Sequence, residues 1–252
     1  MAGSPMIQLE AVSKSFGEVA AVSDVTLNIR RGDTVGLVGS DGAGKTTLLR
    51  LVAGMILPGE GRIYVGGLDA VGQRSRVKEL IGYMPQRFGL YPDLSVGENL
   101  DFFLDIFSIY GKERTRRRQR YLGFSNLLPF VDRRAGDLSG GMKQKLGLAC
   151  VLVHQPDVLI LDEPTNGVDP VSRQEFWNIL AEMRKNGMTI FVSTAYLDEG
   201  EKCDRLMLMH NARILTTDTP ARIQAGFDNL EEAMIHRILA ADTTLAEDRF
   251  GT

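Results

Sequence analysis

One stretch of the sequence combines glycines, a lysine and hydroxyl side chains in a spacing suited to binding phosphate groups. It fits the pattern G-x-x-x-x-G-K-[ST] and reads Gly39, Ser40, Asp41, Gly42, Ala43, Gly44, Lys45, Thr46, Thr47. Glycines let backbone N–H groups converge on phosphates because no Cβ atom stands in the way. We expect Lys45 to contact the β- and γ-phosphates of a nucleotide and the Thr46 hydroxyl to bind Mg²⁺. A glycine-rich turn without a ligand is the alternative interpretation.

Two adjacent carboxylates, Asp162 and Glu163, follow the apolar run Val158–Leu161. Charge at the end of a buried strand is costly without a partner, so a nearby cation is expected. Asp162 suits a ligand to Mg²⁺, and Glu163 suits the positioning or activation of an attacking water. Two ordinary loop carboxylates would look the same in isolation, and the phosphate-binding pattern favours the catalytic interpretation.

The elements that would position these groups are central strands of an α/β fold. Thr34–Val38, Val158–Leu161 and Thr189–Val192 are apolar on both faces, and each precedes a loop and a helical pattern. This alternation is typical of a parallel sheet covered by helices on both sides. The helix after the glycine-rich stretch is expected at Lys45–Ala53. Ligands bind at the carboxyl ends of such strands, which is where both candidate sites lie.

Other segments show patterns of their own. Further strands are predicted at Val25–Ile29, Arg62–Val65, Leu206–Met209 and Ile214–Thr216, and a terminal amphipathic helix at Asp228–Leu239. From Glu98 to Leu152 the pattern is helical, which predicts a mostly helical lobe inserted into the α/β core. Within it the apolar residues at helical spacing, expected to form one packed helix face, are Leu100, Phe103, Leu104 and Phe107.

The run Leu138–Gln144, Leu-Ser-Gly-Gly-Met-Lys-Gln, resembles the signature sequence of ABC-type ATPases. Ser139 stands where a helix N-cap is expected, so the run presents a helix N-terminus suited to an anion. The resemblance implies that Ser139, Gly140 and Gly141 contact the γ-phosphate held by the phosphate loop of a second subunit.

Other motifs of this family follow in the family's order over roughly residues 6–220. Phe16 resembles the aromatic residue that stacks on adenine. Gln86 resembles the glutamine that senses Mg²⁺ and faces the membrane partner. Asn166–Pro170 resembles the loop that follows the catalytic carboxylates. Gly89–Leu100 resembles drug-exporter ATPases that pair with six-helix membrane subunits. Lys143–Ala149 and Ser193–Glu199 are most similar to the YbhF-like branch, some of which carries two such domains in one polypeptide.

The resemblance implies an α/β fold: a P-loop NTPase core with a mainly parallel sheet, an antiparallel β subdomain and an inserted helical subdomain at about 87–155. We expect a nucleotide-binding domain over residues 1–225 and a helical tail over 226–252. The implied cofactors are ATP and Mg²⁺. The implied partners are a second nucleotide-binding domain, in a homodimer or a heterodimer, and a polytopic membrane subunit.

Composition agrees with a cytoplasmic chain held at the inner face of the membrane by such a subunit. The net charge of −3 gives no general attraction to nucleic acid. No apolar run approaches the roughly 18–20 residues that span a bilayer, and no signal peptide is expected at the N-terminus. Cys150 and Cys203 fit no metal or redox motif and are expected to be buried thiols in a reducing compartment.

Two features leave the function more open. Ala195 stands where the family usually has a histidine that contacts the γ-phosphate, which allows a low-turnover regulatory domain unless Thr194, Tyr196 or a water compensates. A basic run of the helical lobe is expected to be a solvated helix face, although it could contact nucleic acid or lipid headgroups. It consists of Lys112, Arg114, Arg116, Arg117, Arg118 and Arg120. A soluble ABC ATPase acting on the ribosome or on nucleic acid is the alternative function.

Overall fold

The computed structural model describes residues 4–242, which form two β-sheets and the helices packed on them. The strands are β1 (Ile7–Phe16), β2 (Val19–Ile29), β3 (Thr34–Gly39), β4 (Glu60–Val65), β5 (Leu68–Asp69), β6 (Ile81–Met84), β7 (Val158–Asp162), β8 (Thr189–Ser193), β9 (Arg205–His210) and β10 (Arg213–Asp218). The helices are α1 (Lys45–Val52), α2 (Arg74–Leu80), α3 (Val96–Ile106), α4 (Gly111–Phe124), α5 (Gly140–Leu152), α6 (Pro170–Lys185), α7 (Leu197–Gly200), α8 (Pro220–Gln224) and α9 (Leu230–Ala241).

The larger sheet has the strand order β10-β9-β3-β8-β7-β6. Its strands from β9 to β6 run parallel, and β10 is an antiparallel edge strand. All residues of β7 and β8 are buried, as are the first five residues of β3, which confirms the central strands predicted from their apolar runs. The carboxyl ends of β3, β7 and β8 therefore meet at one edge of the sheet.

The smaller sheet is antiparallel, with the order β2-β1-β4-β5. In β2, Val25, Leu27 and Ile29 are buried while Thr26 and Asn28 are exposed, which confirms the predicted alternation. This alternation directs one face of β2 into a core cluster shared with α1 and β3.

Three helices, α3, α4 and α5, lie between β6 and β7 in the chain and share one core cluster. Leu100 and Leu104 are fully buried and Phe103 packs against them, as predicted. Phe107 differs from the prediction because it lies one residue past the end of α3. Its ring instead stacks on His154, with 4.1 Å between the ring centroids.

The basic run lies along α4 and is largely paired with carboxylates of the same lobe. Arg114 contacts Asp101 and Asp105, and Arg118 also contacts Asp101. The remaining pairs join Arg116 and Arg117 to Glu113. These pairs support the interpretation of the run as a solvated helix face.

The last described helix, α9, begins at Leu230 behind an Asn229 cap, two residues later than predicted. Leu230 and Met234 are buried against β9 and α8, and Ala233 is also buried. The remainder of the predicted tail, residues 243–252, lies outside the described residues, as do residues 1–3. Cys150 and Cys203 are buried free thiols, as expected.

Candidate functional site

The phosphate-binding pattern forms a loop that leaves the end of β3 and leads directly into α1. At Gly44 the backbone has φ 107°, and a Cβ atom there would lie 2.0 Å from the carbonyl oxygen of Ala21. Only glycine fits such a position, because it has no Cβ and adopts positive φ freely. The loop therefore lies directly against β2.

A cavity of about 460 Å³ opens over this loop. Its walls are formed by Asp41–Thr47, by Val19–Ala21 of β2, and by Gln86, Glu163 and Asn166. The structure thus brings the glycine-rich loop, one of the two predicted carboxylates and the predicted glutamine to one cavity. Asn166 and Val19–Ala21 were not among the predicted site residues.

Lys45 is the first residue of α1, and its side chain folds back over the loop. Its ammonium group donates to the carbonyl oxygens of Gly39 at 2.8 Å and Ser40 at 3.1 Å. The carboxylate of Glu163 lies 3.6 Å away, and the lysine side chain is 6% exposed. A positive charge is therefore held between the loop and the catalytic candidate, where an anionic ligand would meet it.

Asp162 ends β7 with its carboxylate buried. Its Oδ1 accepts from the hydroxyl of Thr46 at 3.0 Å and from the hydroxyl of Ser193 at 2.9 Å. Burial raises the pKa of Tyr83, whose hydroxyl donates to the other oxygen of Asp162 at 3.4 Å. A carboxylate beside a threonine hydroxyl offers the oxygen ligands that Mg²⁺ prefers, so Thr46 and Asp162 fit the predicted metal.

Glu163 directs its side chain toward the loop from a strained backbone position. Its φ is 47°, which is uncommon for a residue with a Cβ atom. Its backbone N–H donates to the hydroxyl of Ser193 at 3.0 Å, and its carboxylate accepts from the amides of Gln86 at 3.0 Å and Asn166 at 3.3 Å. Such strain persists only where surrounding contacts hold it, and it is common at catalytic residues.

The other predicted site residues lie near this cavity or apart from it. Phe16 ends β1, is 54% exposed as a residue, and pairs with Val19 at the cavity wall. Ser139 caps α5 by accepting from the backbone N–H of Met142, which confirms the predicted cap. Gly140 is exposed, and Gly141 packs against Ser172 of α6. The signature residues do not line this cavity.

The loop after β8 contains Ala195, which is exposed. Thr194 and Tyr196, the residues on either side of Ala195, both contact other side chains. The hydroxyl of Thr194 donates to buried Glu199 at 2.5 Å, and the guanidinium of Arg173 lies 3.8 Å from the ring centroid of Tyr196.

Comparisons with known proteins agree with this geometry. A family model described as ABC transporter matches residues 22–166. Over 217 residues, the chain is 47% identical to the probable multidrug ABC transporter ATP-binding protein YbhF of Escherichia coli (strain K12), covering 85% of this chain and 38% of that protein. It is 35% identical to the Nod factor export ATP-binding protein I of Ralstonia nicotianae over 232 residues, covering 90% of this chain and 72% of that protein.

A solved structure shares the fold. The dimeric ATP-binding cassette MJ0796, in a post-hydrolysis state bound to ADP and Pi, is 26% identical, with a TM-score of 0.76 over 85% of this chain and 98% of that one. This likeness confirms the predicted P-loop NTPase fold, and the Escherichia coli relative confirms the predicted branch. The chain belongs to the ABC transporter family.

Proposed function

We propose that this chain binds ATP with Mg²⁺ and hydrolyses it to power export through a membrane subunit. The observation that carries the proposal is one cavity where the glycine-rich loop, Lys45 and Glu163 meet. The chain spans 38% of the Escherichia coli relative, so the activity of any longer natural protein is part of this proposal.

Binding would rest on the loop and on residues at its rim. Backbone N–H groups of the loop and the ammonium of Lys45 would hold the phosphates, and the exposed ring of Phe16 would stack on adenine. Thr46, Asp162 and Gln86 would hold Mg²⁺, which supplies neutralising charge to the phosphate oxygens when it is bound.

Glu163 would orient the attacking water and accept its proton. Its carboxylate is kept in place by two amide donors, Gln86 and Asn166, and it lies beside the charge of Lys45. A preorganised carboxylate of this kind is suited to general-base or water-positioning work. The two amides leave its oxygens further acceptor capacity for a water.

A second cassette would complete the site. Ser139 and Gly140 are exposed at the N-terminus of α5, away from the chain's own cavity. A helix N-terminus favours an anion, so this end suits the γ-phosphate held by a facing cassette. The dimeric structure of MJ0796 supports such an arrangement, and both a homodimer and a heterodimer fit it.

A polytopic membrane subunit would dock near Gln86. A cluster of contacting aromatic rings begins two residues after Gln86. It is formed by Phe88, Tyr91, Phe102 and Phe103. Tyr91 is 45% exposed, so the cluster reaches the surface. Within residues 4–242 there is no helix both long and apolar enough to cross a membrane. The proposed location is the cytoplasmic face of the membrane, through the partner.

The division of the chain into a cassette, an inserted helical subdomain and a C-terminal tail stays a prediction. We expect the cassette over residues 1–225, the helical subdomain at about 87–155 and the tail over 226–252. In support, α3, α4 and α5 share one core cluster, and α9 packs on another.

Ala195 suggests that this chain's own loop forms a slow site. A methyl group cannot hydrogen-bond to a γ-phosphate, and losing one preorganised contact commonly costs about 10²–10³ in rate. The Thr194 hydroxyl already donates to Glu199, which argues against compensation by Thr194. In a dimer with a second cassette whose histidine is intact, this site would hydrolyse ATP slowly and would keep it bound for longer than the partner's site.

The test is phosphate release by the purified chain, with Mg-ATP and with ATP plus a chelator. The proposal expects slow release that depends on Mg²⁺ and on Glu163, and a protein that releases no phosphate and binds no ATP would contradict it. Co-purification with a polytopic membrane protein is expected. Co-sedimentation with ribosomes would instead favour the soluble alternative.

A further inference from the structure

Glu199 is a fully buried carboxylate that lies outside the nucleotide cavity. It is in α7 and is 0% exposed. Its Oε1 accepts from the hydroxyl of Thr165 at 2.7 Å and from Nε of Arg173 at 3.1 Å. Its Oε2 accepts from the hydroxyl of Thr194 at 2.5 Å. A buried carboxylate with three donors is well satisfied, and loss of any one donor weakens the hydrogen bonding that compensates its burial.

The donors to Glu199 come from three different segments of the chain. Thr165 lies two residues after Glu163, in the loop that also carries Asn166. Thr194 immediately follows β8 and precedes Ala195. Arg173 lies in α6, which begins directly after the loop of Thr165. One carboxylate therefore joins the loop of the catalytic candidate to the loop of Ala195.

Further contacts of Thr194 and Arg173 hold the loop of Ala195 at several points. The hydroxyl of Thr194 also accepts from the backbone N–H of Tyr196 at 3.0 Å. Arg173 places its guanidinium over the ring of Tyr196 and donates to both oxygens of Asp198. Because Glu199 and Arg173 are themselves paired, a shift of either loop would disturb the contacts of the other.

We propose that Glu199 is a positioning residue that couples these two loops, so that Glu163 and the segment around Ala195 hold their places relative to bound nucleotide as one unit. The inference rests on the proposed ATPase function for its effect on rate. The coupling of the loops is a property of the fold and can be measured without hydrolysis.

The first test compares Glu199→Gln with Glu201→Gln. Glutamine keeps the shape of Glu199 but turns one acceptor oxygen into a donor and removes the charge, whereas Glu201 is an exposed residue at the end of the same helix. For Glu199→Gln we expect kcat for ATP hydrolysis to fall about 10- to 10²-fold, the scale of a small misplacement of catalytic groups. The affinity for ATP should stay largely unchanged. Equal kcat in both variants, measured per folded molecule, would overturn the positioning role.

The second test serves even if Glu199→Gln does not fold. Thr165→Val and Thr194→Val each remove one neutral donor, and Thr115→Val makes the same chemical change at an exposed position on α4. In Thr165→Val, hydrogen exchange should become faster in the peptide spanning 194–199, in the other loop. Thr115→Val should leave that peptide unchanged. Faster exchange confined to the mutated loop would overturn the coupling.

The double variant, which combines Thr165→Val with Thr194→Val, tests whether both threonines act through Glu199. If both threonines act through Glu199, the change in activation free energy of the double variant, taken from the logarithm of kcat, should differ from the sum of the two single changes. Additive effects would contradict the proposal. A wild-type chain that neither binds nor hydrolyses ATP would remove the proposed function instead, and the exchange result would still decide whether the loops are coupled.

Discussion

The side-chain amide of Gln86 lies 3.0 Å from Oε2 of Glu163 and donates to it. The two residues follow β6 and β7, which are neighbouring parallel strands. The segment after Gln86 carries Phe88 and Tyr91, whose rings pack on those of α3. A movement of this segment would therefore change the hydrogen bonding of the catalytic candidate directly.

Lys45→Ala should weaken ATP binding. The change removes a buried positive charge that lies between the loop and Glu163. Hydrogen bonds to charged groups contribute about 1.5–3 kcal/mol, so the dissociation constant should rise roughly 10- to 150-fold. Calorimetric titration with Mg-ATP measures it, and Lys185→Ala, at an exposed position on α6, is the matched control. Unchanged affinity in Lys45→Ala would remove the loop from nucleotide binding.

Ser139→Arg should block hydrolysis while leaving ATP binding intact. The change puts bulk and charge at the exposed N-terminus of α5, which we expect to face the other cassette. Loss of a preorganised contact to the γ-phosphate predicts a fall of about 10²-fold or more in phosphate release. Ser75→Arg, at an exposed position on α2, is the control. A fully active Ser139→Arg protein would argue against a site shared by two cassettes.

His154 should make the fold less stable in mild acid. Burial lowers the pKa of His154, and the nearby charge of Arg117 lowers it further. The stability from the neutral ring is thus present above the unfolded pKa of about 6.5 and is lost as pH falls through the lower folded value. Urea unfolding at pH 7.5 and 5.5 should show a smaller drop for His154→Phe than for wild type. His236→Phe, at an exposed position, should retain the wild-type drop, and equal drops in all three proteins would refute the assignment.

Ala195→His should raise the rate of the chemical step. The new imidazole could donate to the γ-phosphate, where the methyl group cannot, and the gain could approach the 10²–10³-fold scale of one such contact. Single-turnover hydrolysis at saturating Mg-ATP measures it. Ala225→His, outside the cavity, is the control. No rise in Ala195→His, with wild type already hydrolysing in a strictly Glu163-dependent way, would show that the missing histidine is compensated.

The parts of the fold with strong local signals were predictable. The apolar runs of β3, β7 and β8 predicted the buried sheet, and the pattern ending at Lys45 predicted the loop and the helix after it. Ser139 was recognisable as a helix cap because small hydroxyl residues favour that position. The strand β1 and the shorter elements β5, α2 and β6 were not predicted, and the last three are runs of two to seven residues that carry little periodicity.

Contacts between distant segments could not be derived from the sequence. Ser193 bonds to both Asp162 and Glu163, yet nothing in its local pattern indicates this beyond its place at the end of a buried strand. Asn166 was recognised as part of a motif, and its hydrogen bond to Glu163 emerged only from the folded loop. The burial of Glu199 could not be predicted from the sequence either, because a glutamate in a polar stretch is usually exposed.

The most direct test of the account is the mass of Glu163→Gln in solution with and without Mg-ATP. The amide keeps the size of the side chain but can no longer accept the proton of the attacking water. Light scattering should show a shift from monomer to dimer when Mg-ATP is added, and phosphate release should fall about 10²–10³-fold. The shift should be absent when Lys45→Ala is added to the same protein. A Glu163→Gln protein that hydrolyses ATP at the wild-type rate, or that stays monomeric with Mg-ATP bound, would contradict the account.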